Sequence, residues 1–151
     1  GVYLPGNWTV PFGIVLVVDH LSALMLVLTG IVAFCALLFA LARWDRAGAS
    51  FHALFQIQLM GLYGAFLTAD LFNLFVWFEV MSVAAFALTG YRLEASALEG
   101  ALNFTVTNSI GSYVMLGGIG QIYARADALD FSAIARAVPA GGRVPLRTAV
   151  F

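Results

Sequence analysis

The sequence predicts an all-α membrane protein, a bundle of about four transmembrane helices. Two observations carry this. The 151-residue chain is 62% hydrophobic and only 10% charged, against about 45–50% and about 25% in a soluble domain. The apolar residues also gather into four runs long enough to cross ~30 Å of hydrocarbon, which takes about 20 helical residues. Such runs are helical in lipid, because no water is present to satisfy backbone N–H and C=O groups.

The predicted spans cover about 15–42, 51–69, 71–91 and 101–123. Ahead of them, residues 1–14 form an extracytoplasmic hairpin or loop, with Pro5-Gly6-Asn7 between two short β-prone runs, 2–4 and 8–10. Trp8 and Trp44 fall where interfacial aromatic belts occur. The first connection, 43–50, is short and polar. The second is only Thr68-Ala69-Asp70, and the third is 92–100. Asp70 is placed to cap the third helix and oppose its positive end.

Beyond the fourth span, Phe131, Ile134, Ala135 and Val138 recur at helical spacing behind Asp130, a candidate N-cap. This predicts a short amphipathic helix in the interface. A loop with Pro139, Gly141, Gly142 and Pro145 follows, and 149–151 read as the start of a further span. With Gly1 rather than Met at its start, the chain is expected to be a fragment of a longer protein.

All seven basic residues are arginines. Arg43 and Arg46 place the first connection in the cytoplasm, and Arg92 does the same for the third. Residues 124–151 then lie outside with four arginines, against the positive-inside rule. The net charge of −1 gives no electrostatic case for nucleic acid. The single Cys35 excludes a disulfide or cysteine metal framework. No phosphate-binding glycine loop is present, so no cofactor is expected.

The third run, LFNLFVWFEVMSVAAFALTGY, carries one acid, Glu79, eight residues or ~12 Å from its start. That is close to mid-bilayer, where a charged acid costs at least ~2.5 kcal/mol. Without a partner such a group stays neutral, and a neighbouring cation favours its anion. It is thus suited to load and release a proton. The alternative is a protonated side chain bonding a neighbouring helix, worth roughly 1 kcal/mol. Ser82, Phe86 and Gly90 share its face, with Phe75 and Phe72 behind; Ser82 is placed to orient the carboxylate.

Asn108 and Ser112 head a small, polar stripe on the fourth span, with Asn103, Thr107 and Gln121 also present. Close helix contact and a hydrated lining both explain such a stripe. His52, near the cytoplasmic end of the second span, is a candidate proton entry because histidine titrates near neutral pH. Asp19 begins the first span with Ser22 and Thr29 on its face. The candidate site is therefore Glu79 as proton carrier, with His52, Ser82, Asn108, Ser112 and Asp19 as a path.

The run GAFLTADLFNLFVWFEVMSVAAFALTGY, 64–91, resembles the D subunit of the multisubunit monovalent cation/proton antiporters of the Mrp type. The characteristic run of that family is close to G-A-F-L-T-G-D-L-F-N-L-F-V-F-F-E-[VIL], and 64–80 departs from it mainly at Ala69 and Trp77. GNWTVPFGIVLVVDHLSALML and ALNFTVTNSIGSYVMLGGIGQIYA with ALDFSAIA also agree, so the resemblance covers nearly all of the chain.

The resemblance implies a fold of about fourteen spans on inverted five-helix repeats, homologous to the antiporter-like subunits of respiratory complex I and membrane-bound hydrogenases. It implies a secondary transporter subunit rather than an enzyme, in the bacterial cytoplasmic membrane. Its partners would be other membrane subunits, protons, a monovalent cation such as sodium, and lipid. It also implies that Glu79 is the intramembrane glutamate that works with a lysine on a later, broken helix. This sequence has no lysine, so the partner is expected outside it. Two rivals are a proton-pumping subunit of a redox-driven complex and a structural subunit in which Glu79 only joins helices.

Overall fold

The computed structural model describes residues 1–4, 14–44 and 49–137. Two short strands and five helices follow in order: β1 Val2–Tyr3, β2 Leu16–Val17, α1 His20–Trp44, α2 Ala49–Leu67, α3 Leu71–Thr89, α4 Ala95–Ala126 and α5 Phe131–Ala137. The predicted second run of the N-terminal hairpin, with Trp8, lies outside the described residues. So do residues 45–48 of the first connection and everything after Ala137.

The N-terminal strand has a partner that the sequence did not single out. β1 runs antiparallel to β2, with Val2 opposite Val17 and Tyr3 opposite Leu16. The β-branched stretch Val15, Val17 and Val18 suits a strand better than a helix. Helix α1 therefore begins at His20, five residues after the predicted span start. Asp19 fixes that start, its carboxylate accepting the Ser22 N–H at 2.6 Å.

The other boundaries have similar local causes. Leu16 bridges to Thr68 and Asp70 bridges to Asp130, which ends α2 at Leu67. Gly90 caps α3, donating its N–H to Phe86 O at 3.0 Å. Helix α4 outruns the predicted span at both ends. It starts in the helix-favouring stretch ASALEG and ends at Asp127, which takes the left-handed conformation and donates to Tyr123 O at 2.8 Å.

One end of the bundle is tied by a small backbone ladder. Ala69 N–H donates to Val15 O at 3.0 Å, Leu71 N–H to Leu129 O at 2.9 Å, and Phe131 N–H to Ala69 O at 3.0 Å. The three-residue turn between α2 and α3 thus holds both the N-terminal strand and the start of α5.

Helices α2 and α3 pack antiparallel in one register. Phe51 meets Tyr91 edge-on at 6.0 Å. A Cβ on Gly61 would lie 2.8 Å from Met81 Cβ, and one on Gly64 would overlap the Trp77 indole. Helices α3 and α4 follow a second antiparallel register: Phe86 meets Phe104 at 5.2 Å, and Ser82 is bonded to Asn108. Helix α1 lies against α2, with Gly30 facing the Tyr63 hydroxyl.

Only small or isolated apolar residues are buried: Ala33, Ala40, Ala84, Ala101 and Ile119 among those described. Large apolar side chains point outward along α1, α3 and α4, with Leu24, Val83, Tyr113 and Val114 each more than 60% exposed. Among the described residues, His20–Ala42 and Leu71–Thr89 are long and apolar enough to cross a membrane. Helices α2 and α4 have the length, at 19 and 32 residues, but residues such as Gln56, Gln58, Asn103 and Asn108 lower their hydropathy.

The close approach of α2 and α3 gives a direct test. Gly64→Ala puts a methyl group into the Trp77 ring and should destabilise the helix pair by about 1–3 kcal/mol. Gly100→Ala, where nothing lies within 4 Å, should be neutral or stabilising by up to ~1 kcal/mol. Thermal unfolding in detergent measures both.

Candidate functional site

Glu79 is the ninth of nineteen residues in α3, so it sits at the middle of that helix. The side chain is half-buried, and its Oε1 atom is shut off from solvent with no hydrogen-bond partner. A buried polar atom left this way costs about 1–3 kcal/mol, and more when charged. Ser82, one turn on, is buried and accepts a hydrogen bond from Asn108 Nδ2 at 2.9 Å. This bond joins α3 to α4, and the Phe86–Phe104 ring pair lies on its far side from Glu79. Continuing the register by one turn puts Ser112, half-buried, level with Phe78 and Glu79.

The structure thus brings Glu79, Ser82, Asn108 and Ser112 to one side of the α3–α4 pair. It does not bring His52 or Asp19 there. His52 is exposed near the start of α2, its ring edge-on to Phe51 at 5.5 Å. The α2–α3 register puts it level with Gly90, about 16 Å along the axis from Glu79. Asp19 is exposed at the opposite, strand-bearing end, where it caps α1. The Ser22 backbone N–H holds its carboxyl below the usual value of 3.8.

Three features escape sequence reasoning. A buried polar knot surrounds the α2–α3 turn: Asn73 N–H donates to Asp70 Oδ1 at 2.7 Å, and Asn73 Nδ2 donates to Thr68 Oγ1 at 2.8 Å. The Asp70 cap is legible in sequence, while the Asn73–Thr68 bond needs the turn geometry. Trp77, whose Nε1 is buried without a partner, lines a cavity of about 380 Å³ with Gln56 and Tyr63. Gln58 Oε1 is likewise buried and unpartnered, in the wall of a cavity of about 360 Å³ between α1 and α2. Both side chains lie in runs of apolar residues where neither signals a buried polar atom.

Among the described residues, the basic side chains of α2 to α5 stand at the two ends. His52 and Arg92 lie at one end, Arg125 and Arg136 at the other. Among the described residues, no ion pair holds Glu79 in one protonation state, and no cluster of His, Cys, Asp or Glu could hold a metal. The arrangement presents one protonable group in a low-dielectric setting, next to hydroxyl and amide groups that can orient hydrogen bonds.

The family of NADH:quinone oxidoreductase/Mrp antiporter transmembrane segments matches residues 68–150, 83 of the 151 residues. The chain belongs to this family. It is therefore a membrane protein and a fragment of a larger antiporter-like fold. The D subunit of a probable K(+)/H(+) antiporter of Rhizobium meliloti is 47% identical over 89% of this chain and 25% of its own length. The D subunit of an Na(+)/H(+) antiporter of Alkalihalophilus pseudofirmus is 39% identical over 86% and 27%.

Among solved structures, the archaeal membrane-bound sulfane sulfur reductase, a respiratory membrane complex, aligns with TM-score 0.78 and 32% identity over 88% of this chain and 28% of that one. The Mrp complex of a Dietzia species aligns with TM-score 0.75 and 27% identity over 89% and 28%. The chain spans about a quarter of the length of these antiporter-family relatives.

Two effects at the strand-bearing end are measurable. Asp70→Ala removes the cap of α3 and should cost about 1 kcal/mol in thermal unfolding. Asp19, held low by the Ser22 N–H, supports the first turn of α1 above the ordinary carboxylate range, and that support is lost as pH falls through the lowered value. The hydrogen-exchange protection of the Ser22 amide should drop below about pH 4, and Asp19→Asn should flatten this acid dependence.

Proposed function

We propose that this chain is part of a proton-translocating subunit, of the D type, in a multisubunit monovalent cation/proton antiporter, and that Glu79 carries the proton. The observation that carries the reading is the Glu79 carboxylate oxygen, buried mid-helix and bonded to nothing, within the run that resembles the D-type motif. In a low dielectric the unpartnered acid favours its neutral form, and a cation brought near favours the anion. Alternating the two states loads and unloads a proton as a coupled pair. The cation in this reading is a lysine on a later helix, outside this sequence.

Other membrane subunits complete the machine, which sits in the bacterial cytoplasmic membrane. The strand-bearing end faces outward in this reading, which the arginines of the first and third connections in the sequence support. The relatives named for K(+)/H(+) and Na(+)/H(+) exchange support a monovalent cation as the counter-transported ion. A second reading, a pump module driven by redox chemistry, has a specific support in the close likeness to a chain of an archaeal respiratory complex. Co-purification of dehydrogenase subunits would favour that second reading.

Glu79→Gln separates a proton carrier from a helix joint, because the amide still makes hydrogen bonds but takes no proton at neutral pH. In the assembled complex, cation-driven proton movement across everted vesicles should fall about 100-fold or more, with assembly intact. A variant that transports at the native rate sinks the proposal.

A further inference from the structure

Two unmet hydrogen-bonding valences lie one turn apart on α3. Glu79 Oε1 is buried and accepts nothing. Ser82, 6% exposed, accepts from Asn108 Nδ2, yet its own hydroxyl proton has no acceptor among the described bonds. That is unlike the nearby threonines: Thr89 gives its proton to Ala85 O at 2.8 Å, and Thr105 to Ala101 O at 2.7 Å. Such bonding to the carbonyl one turn back is the usual outcome for a mid-helix hydroxyl. Side chains three apart on a helix are neighbours, with Cβ atoms about 5–6 Å apart. No direct Ser82–Glu79 bond is among the described bonds, and at this spacing one water spans the two groups.

We infer that Asn108 is a positioning residue for Glu79: by donating to the Ser82 oxygen it turns the Ser82 hydroxyl proton toward the Glu79 carboxylate, through one bridging water. A hydroxyl whose lone pair is taken by an amide N–H is polarised and becomes a better donor. The bond it makes favours the anionic carboxylate, so Asn108, which belongs to another helix, sets how readily Glu79 takes its proton. Any shift of α4 against α3 that stretches the 2.9 Å bond frees the hydroxyl and makes protonation easier. The inference rests on Glu79 as the proton carrier.

Other titratable groups on the elements packed against α3 stand apart. On α2, His52 is at the far end, and the Tyr63 hydroxyl lies beside Gly30 of α1. On α4, Glu99 precedes the Asn108 level by two and a half turns, Tyr113 is 74% exposed, and Tyr123 and Arg125 lie near the strand-bearing end. On α3 itself Glu79 is the only acid, with Asp70 as its cap.

The test is the pH profile of cation-driven transport by the assembled complex. Ser82→Ala and Asn108→Leu should each move the midpoint of the Glu79-dependent limb upward by about one pH unit, and Ser82→Thr should restore it. In the Ser82→Ala background Asn108→Leu should add no further shift, since the amide acts only through the hydroxyl. Asn108→Ala takes its place where the leucine variant fails to assemble. An equal Asn108 shift with and without Ser82, or no shift in either single variant, overturns the inference. Glu79→Gln run alongside distinguishes the failures: native transport by that variant defeats the carrier reading itself.

Discussion

A carboxylate oxygen kept from water with nothing bonded to it is the constraint on which the structure turns. Two helices close on α3 around the level of Glu79. Gly61 and Gly64 let α2 approach so closely that Met81 and Trp77 fill the space a side chain would take. On the opposite side, the Ser82–Asn108 bond and the Phe86–Phe104 rings bring α4 against the same helix. Among the described residues, no cation is supplied to Glu79 by an ion pair. The result is an intramembrane acid with one oxygen buried and unpartnered, and such acids mark transport paths more often than structural joints.

The two ends of α3 are built differently. At the strand-bearing end, backbone hydrogen bonds tie Val15, Ala69, Leu71, Leu129 and Phe131 into one corner, and Asp70, Asn73 and Thr68 satisfy one another inside it. That corner makes the start of α3 a fixed point. At the other end the chain turns through Leu93 in a left-handed conformation, and an exposed Arg92–Glu94 pair at 3.5 Å adds little. Motion of α4 relative to α3 is thus resisted at the strand-bearing corner, through the 3.0 Å and 2.9 Å bonds that hold residues 129 and 131 beside the α2–α3 turn.

Much of this was legible in the residues. The apolar excess announced a membrane protein, and the family motif around Glu79 announced the antiporter-like fold that the family match shows. The Asp70 cap followed from one acid standing before an apolar run. Ser82 and Asn108 were singled out by face and composition, although their bond depends on a helix register that no local pattern encodes. The same limit applies to β1, whose pairing with Leu16–Val17 joins residues thirteen to fifteen apart in sequence, beyond the reach of local turn chemistry. His52 and Asp19 were drawn in as titratable groups on spans. Their distance from Glu79 is set by where each helix starts, and only the α2–α3 register and the Asp19 cap make it visible.

The central claim is that Glu79 changes protonation in the working complex. Infrared difference spectroscopy of the assembled machine reads this directly, with the carboxyl band assigned by its disappearance in the glutamine variant. The account predicts that this band grows and fades as pH or the cation gradient is cycled. A Glu79 band that stays constant across roughly pH 5 to 10 would contradict it.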